Sequence, residues 1–396
     1  MTVLQKCHTY TRADAARAAD IYPYYPVFET QGKGGEMRLD TGTVTNLGTN
    51  NYRGFTRHPQ VKEAAREAID RWGTSATGSR YLNGNLAIHE QLEAELATFY
   101  GTEAALIYSS GYMANLGAVS ALVGKGEAVV LDRQAHPSLI DGAQLAHARG
   151  AKVYFFSEND ASSLHRSLAE LDGTPALVCV DGYRSLDADA SPLPQLLHVT
   201  NHHGATLLVD DADGLGVLAS GRGSIAHHAL DGQVPLTTVT FSKSLASQGG
   251  AVLADGIVID YLRHNSRPAM YSTGLAPASA AAALAALRLL AKHPITPPAL
   301  ALASRLRTGL AELGYRVPTA TGPVITVPFP DEYLLLLAHR MLTQHGIYTN
   351  PILPPTAENP QLRLAVTDDH TDASVAVCIK VFAQLRDDLL PEVPET

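Results

Sequence analysis

A chain of 396 residues with 45% hydrophobic and 17% charged residues is long enough to bury a large core and lies outside the composition of disordered chains. Its net charge of −9 and pI near 5.9 weigh against a nucleic-acid surface or an anionic membrane as partner and point to small-molecule ligands. Cys7, Cys179 and Cys378 are odd in number and far apart, which argues against a disulfide framework or a metal-binding spacing and suits a reducing compartment.

The first residues, Met1 to Ala15, lack the apolar core of a secretory signal. No run reaches the roughly 18 apolar residues of a membrane span; the Ala/Leu-rich Ala276–Leu290 is shorter and reads as a buried helix. A cytoplasmic protein without a membrane span is expected.

Along the chain, amphipathic helices alternate with short apolar strands, the pattern of a mostly parallel sheet covered on both faces. Val61, Ala65, Ala68, Ile69 and Trp72 recur at helical spacing in His58–Trp72, as do Ile88, Leu92, Leu96 and Phe99. Strands are predicted at Ala104–Tyr108, Ala128–Leu131, Val153–Phe156, Ala176–Val180, Thr206–Val209, Thr237–Phe241 and Ala251–Leu253, with a helix at Ala161–Leu171. Three prolines in Lys292–Pro298 end the alanine-rich helix, and a second, smaller domain is expected beyond it. Its predicted pieces are helices at Ala299–Leu313, Tyr333–Gln344 and Ala373–Leu385, strands near Val324–Val327 and Leu362–Val366, and a Pro-rich loop at Pro351–Pro360. Arg38–Asp40 reads as a strand joining that domain. The expected division is therefore residues 1–55 contributing to the small domain, 56–290 as the large domain and 291–396 as the C-terminal small domain.

In an open α/β sheet, ligands bind beyond the carboxyl ends of the strands, so the polar residues closing each apolar run carry the information. These are Asp132, Asp181, Asp210 with Asp211, and Ser242 with Lys243. A lysine straight after a β-branched strand and before the small residues Ser244, Ala246, Ser247, Gly249 and Gly250 sits where desolvation suits its amine to imine chemistry. Taken alone it also reads as an ordinary solvated lysine. Pyridoxal 5′-phosphate (PLP) needs a carboxylate to keep its pyridine nitrogen protonated, which Asp210 offers, and a phosphate cradle. Tyr108-Ser109-Ser110-Gly111-Tyr112 follows a strand and opens a helix, although a plain helix cap would look the same. His136, just past a strand end, suits stacking on a flat ring, and alone would read as a surface histidine. The order cradle, histidine, carboxylate, lysine is more specific than any member.

With these residues assembled, the sequence resembles the α-oxoamine synthases, closest to serine palmitoyltransferase-like members. The resemblance runs from about Leu47 to His370 through ordered motifs: Asn50-Asn-Tyr52, Gly78-Ser-Arg80-Tyr-Leu-Asn83-Gly84-Asn-Leu-Ala-Ile-His89, Tyr108-Ser-Ser-Gly-Tyr112, Asp132…His136-Pro-Ser138, Ser185-Leu-Asp-Ala-Asp189, Asp210-Asp-Ala-Asp213-Gly-Leu-Gly216, Thr240-Phe-Ser-Lys243-Ser and Leu362-Arg363-Leu…His370-Thr371. It implies an α/β, PLP-dependent transferase fold of type I (aspartate-aminotransferase-like), with a large, mostly parallel sheet domain and a smaller α+β C-terminal domain. It implies a decarboxylative Claisen condensation of an amino acid with an acyl thioester, carried by coenzyme A or an acyl-carrier protein, giving an α-aminoketone.

Position by position, the resemblance makes Lys243 the Schiff-base lysine and proton-transfer base, Asp210 the pyridinium partner and His136 the ring-stacking residue. Ser110, Gly111 and Tyr112 match the cofactor-binding turn, and Ser185 and Thr240 match positions near the ring and phosphate. Ser272 and Thr273 match a stretch that reaches the phosphate from a neighbouring subunit, which implies a homodimer with shared active sites. Asn50 and Arg363 match residues near the substrate; a guanidinium is a bidentate partner for a carboxylate, and the bland reading of Arg363 is a surface arginine on an edge strand.

The sequence departs from the family at Asp213, where a histidine usually bonds the cofactor's phenolic oxygen. A carboxylate there is expected to be protonated, to bind through water or to turn away. Leu353 stands where several relatives have arginine, and the loop that follows is shorter. Arg53 and Arg184 replace apolar residues and are expected at the exposed surface, with contact to an anionic substrate or a phosphopantetheine as the alternative. A PLP-dependent lyase, aldolase or aminotransferase, or a catalytically retired subunit, are the competing readings.

Overall fold

The computed structural model describes residues 2–11, 13–184, 189–292, 298–320, 322–354 and 356–389. The chain divides into a larger compact unit, Asn50–Ser185 with Asp189–Pro297, and a smaller one, Met1–Thr49 with Pro298–Thr396.

The larger unit is built on seven strands: β1 (Ala104–Tyr108), β2 (Ala128–Asp132), β3 (Lys152–Phe156), β4 (Ala176–Asp181), β5 (Thr206–Asp210), β6 (Leu236–Thr240) and β7 (Gly250–Ala254). Their order across the sheet is β1-β7-β6-β5-β4-β2-β3. Only β7 runs against its neighbours; the β2–β6 pairings are parallel. The predicted strands reappear with ends moved by a residue at most, because each is an apolar run closed by polar residues.

Both faces of this sheet are buried, and strand alternation divides its side chains between them. Ala105, Ile107, Val239, Ala251 and Leu253 pack under three helices, α1 (Pro59–Trp72), α2 (Ala87–Tyr100) and α8 (Pro277–Lys292), through Val61, Leu92, Leu96 and Leu284. On the other face, Leu106, Tyr108, Val129 and Leu131 pack under α3 (Gly111–Leu122), α4 (Pro137–Ala148) and α7 (Gly256–Asn265) through Ala114, Ala118, Leu139 and Ile259. Val130, Val178 and Val209 meet the leucines of α5 (Ala161–Ala169) and α6 (Leu193–His202). Leu92 and Leu96 are fully buried, so truncating either to alanine costs about 2–5 kcal/mol.

Because β2, β4, β5 and β6 run parallel, their carboxyl ends share one edge. The register sets Asp210 beside Asp181 and Thr238, which places the strand-end acids and the Ser242-Lys243 step together.

The smaller unit holds two sheets. One orders Thr30–Gln31, Glu36–Leu39, Gly42–Asn46 and Ile347–Tyr348; the other orders Val324–Pro328, Gln361–Ala365 and Asn350–Ile352. Helices Pro298–Glu312, Glu332–Gln344 and Asp372–Leu389 pack on them through Leu306, Leu335, Leu342 and Phe382. Two differences from the sequence reading stand out. The segment around Arg38 is a hairpin rather than a single strand, and Asn350–Ile352 pairs with Gln361–Ala365 at the start of the Pro-rich loop. Pro351 has no N–H to donate, and it sits on an edge strand.

Candidate active site

At the carboxyl edge of the larger sheet, Lys243 follows β6 and is half-buried. Its Nζ donates to Asp213 Oδ2 at 2.6 Å, and Tyr52 O–H donates to Asp213 Oδ1 at 2.8 Å. This arrangement was not among those expected for Asp213. Its carboxylate is largely buried and takes up the lysine's ammonium, so the substitution of an acid for the family's histidine places an ion pair at the centre of the site.

Asp210 ends β5. Burial raises its pKa, while hydrogen bonds from Asn115 Nδ2 at 2.6 Å and Ala212 N at 3.1 Å, and the charges of His136 and Lys243, pull the other way. Asn115 also donates to Ser138 Oγ at 2.8 Å, and Ser138 Oγ lies 2.6 Å from His136 Nδ1. A continuous chain of hydrogen bonds therefore links the β5 carboxylate to the imidazole at the start of α4. Asn115 did not emerge from the sequence reading; its signal was an amide in the otherwise apolar helix α3. Asp181, beside Asp210 in register, has a pKa raised first by burial and then by the Asp210 charge, and its Oδ1 accepts from His136 N.

His136 caps α4, with its ring edge-on to Tyr112 at 6.4 Å between centroids. The residue is exposed, yet enough protein surrounds the imidazole that desolvation lowers its pKa. Tyr112 O–H bonds to Asp141.

The Ser110-Gly111-Tyr112 turn opens α3, where Ser110 Oγ accepts from Met113 N at 3.1 Å. Thr240 Oγ1 lies 2.9 Å from Ser242 Oγ. A Cβ on Gly111 would come within 2.7 Å of Thr240 Cβ, and one on Gly250 within 2.5 Å of Gly111 Cα. Only glycines allow the helix start, with its free N–H groups, to approach β6 and β7 this closely.

The remaining expected residues are placed as follows. Asn50 is half-buried and its Oδ1 is a buried acceptor with no partner among the described residues. Ser272 is half-buried and Thr273 exposed, in a segment where Thr273 bridges to Ser79. Ser185 lies outside the described residues. Arg363 belongs to the smaller unit; it sits on the central strand of its sheet, between Thr326 and Asn350, and is 5% exposed, so the picture of a surface arginine on an edge strand is corrected. Arg53 and Arg184 also correct the expectation of exposed side chains. Arg53 is buried, donates to Gly216 O at 3.3 Å and lies over the Phe55 ring. Arg184 is half-buried and pairs with Glu158.

These residues fit PLP on their own chemistry. Asp210 is a buried acid whose hydrogen-bond donors are neutral amides, so a protonated ring nitrogen supplies the cation that its ionised form needs. A helix start whose first residue is Gly111, beside the Thr240 and Ser242 hydroxyls, suits a phosphate. A flat ring against His136, and an amine already held by a carboxylate, complete the set.

The sequence matches the aminotransferase class I and II family over residues 42–382, and the chain belongs to that family. Its relatives include α-oxoamine synthases. It is 34% identical over 378 residues to serine palmitoyltransferase of Sphingobacterium spiritivorum, covering 93% of this chain and 94% of that one. It is 38% identical over 354 residues to 8-amino-7-oxononanoate synthase of Methylococcus capsulatus, covering 89% and 90%. Against two relatives in Mycobacterium tuberculosis strains it is 35% identical over 393 residues, and the chain spans half of their length. The fold superposes on Sphingomonas wittichii serine palmitoyltransferase with a TM-score of 0.94 at 31% identity, covering 98% of this chain and 99% of that chain.

Proposed function

We propose that the chain is a PLP-dependent acyltransferase that joins an amino acid to an acyl thioester with loss of carbon dioxide, giving an α-aminoketone. The observation that carries this is the Lys243 cluster: an amine paired with Asp213, beside an Asp210 carboxylate that is linked through Asn115 and Ser138 to His136. The two kinds of relative, serine palmitoyltransferase and 8-amino-7-oxononanoate synthase, support the same class of reaction.

When bound, PLP supplies an electron sink for the charge that develops at the amino acid's Cα. Lys243 anchors it, Asp210 holds its ring nitrogen and His136 covers its ring. Ser110, Gly111, Tyr112, Thr240 and Ser185 are assigned to its phosphate and ring. In its neutral form, Lys243 would accept the Cα proton at Nζ; Asp213 would then pair with the resulting ammonium, and Tyr52 fixes the carboxylate's aim through its second oxygen. In the net reaction, a carbon–carbon bond forms between Cα and the thioester carbonyl, the thiol leaves, and the amino acid's carboxyl departs as carbon dioxide. Arg363 is assigned the substrate carboxylate by its motif and its fork of donors, and Asn50, with its unpartnered acceptor, a substrate donor.

Coenzyme A and an acyl-carrier protein are both suitable thiol carriers. Ser272 and Thr273, partly exposed, are assigned to the phosphate of a second copy in a homodimer. Among the described residues, no helix is long and apolar enough to cross a membrane; we place the enzyme in the cytoplasm on its composition and free cysteines.

The test is to incubate PLP-loaded protein with amino acids and acyl thioesters, measuring free thiol, carbon dioxide and product mass. Amino-acid-dependent thiol release with one carbon dioxide per α-aminoketone is expected. Formation of a keto acid without thiol release would replace the condensation with an aminotransferase.

A further inference from the structure

Far along the sheet from Lys243, three imidazoles meet on the surface of the larger unit. His165 lies on α5, His202 ends α6 and His203 follows it. The two helices are fixed against each other and the sheet by Leu164, Leu168, Leu193, Leu196 and Leu197, so the clustering of the histidines follows from packing beneath them. His203 Nε2 lies 2.9 Å from His165 Nδ1, and one ring nitrogen from each of the three lies within 4.8 Å of the others. The ring centroids are 4.8 Å apart for His165 and His203 and 5.1 Å apart for His202 and His203.

We infer that His165, His202 and His203 form a binding site for a divalent transition-metal ion of the zinc, nickel or copper class. Two imidazole nitrogens bound to one such ion at about 2.0–2.1 Å stand roughly 2.9–3.4 Å apart, depending on the angle at the metal. The His165–His203 pair already has that bite. His202 is exposed, so its side-chain rotation is free to bring the third nitrogen in. Three neutral imidazoles and no carboxylate make a ligand set that suits these ions over magnesium or calcium.

The site is separate from the reaction. His202 and His203 precede β5 by a few residues, at the amino end of the strand whose carboxyl end carries Asp210. A five-residue strand places the two about 13 Å apart at least. An ion here ties α5 to α6 and leaves the Lys243 cluster untouched, with solvent completing the coordination.

The experiment uses untagged, PLP-loaded protein stripped with chelator, titrated with zinc chloride alone by calorimetry and by thermal unfolding. One ion per chain is expected to bind with a Kd of micromolar or tighter and to raise Tm by several degrees, and the protein should be retained on immobilised nickel. The double variant His165→Asn/His203→Asn should fold with the metal-free Tm of the parent and lose at least tenfold in affinity. His264→Asn, on another helix, should bind as the parent does. Absence of binding at 100 μM zinc, or unchanged affinity in the double variant, would overturn the inference.

Discussion

The two units bury different titratable groups, and desolvation moves each toward its neutral form. In the larger one, burial raises the pKa of carboxyls at the strand ends: Asp181, Asp210 and Asp211, the last to about 7 despite hydrogen bonds from Ser224 and Tyr100. In the smaller one, the buried imidazoles of His339 and His370 are both lowered to about 4 by desolvation, and burial raises the Cys378 thiol to about 12. The contrast separates two purposes. Acids held at a sheet edge against their own desolvation are poised to receive a cationic partner, whereas neutral imidazoles within a core serve packing and hydrogen bonding, as His370 does by accepting from Thr367 N at 2.9 Å.

The sharpest cut through this comparison is at Lys243. Lys243→Ala should lower turnover by about 100- to 10,000-fold while leaving the fold in place, which steady-state kinetics and circular dichroism check together. A variant that lost the fold as well would make the ion pair with Asp213 structural.

Acid should separate the units next. A histidine lowered from 6.5 to about 4 contributes stability that is present above the unfolded value and is lost as pH falls from 6.5 through 4, about 3 kcal/mol for each of His339 and His370. Asp211 has the other sign: its raised pKa gives stability that is full below about 4 and is lost as pH rises through 7. Hydrogen exchange at pH 5 should therefore show residues 298–389 losing protection before β1–β7. His339→Gln with His370→Gln should flatten that dependence.

A smaller effect is expected at Asn115. Asn115→Ala removes the donor shared by Asp210 and Ser138 and should cost about 1–3 kcal/mol by denaturant unfolding, with weaker retention of PLP. Smallest in energy is Asp213→His, which should shift the visible spectrum of the bound cofactor and its pH titration. An unchanged spectrum would show that Asp213 interacts with Lys243 alone.

Much of this was legible in the sequence, and the reason is local. Ala104–Tyr108 is an apolar run bounded by polar residues, and its bounds match the strand; Asp132, Asp181 and Asp210 close their strands where the sequence puts them. The strand-end residues come together because a parallel sheet brings distant segments to one edge. What escaped depends on contacts outside each local run. Asn350–Ile352 becomes a strand only by pairing with Gln361–Ala365, Asn115 gains meaning only through Asp210, and Arg53 is buried by Gly216 and Phe55 rather than by its neighbours' periodicity. Asp213 departs from the family pattern in the sequence alone, but its partner is the lysine amine, a contact between segments thirty residues apart.

The most direct test of the central claim is to load the protein with PLP, reduce it with borohydride, and map the phosphopyridoxyl group by peptide mass spectrometry. The account predicts one label per chain, on Lys243, lost in Lys243→Ala. A label on any other lysine, or none in a protein that has taken up PLP, would contradict it.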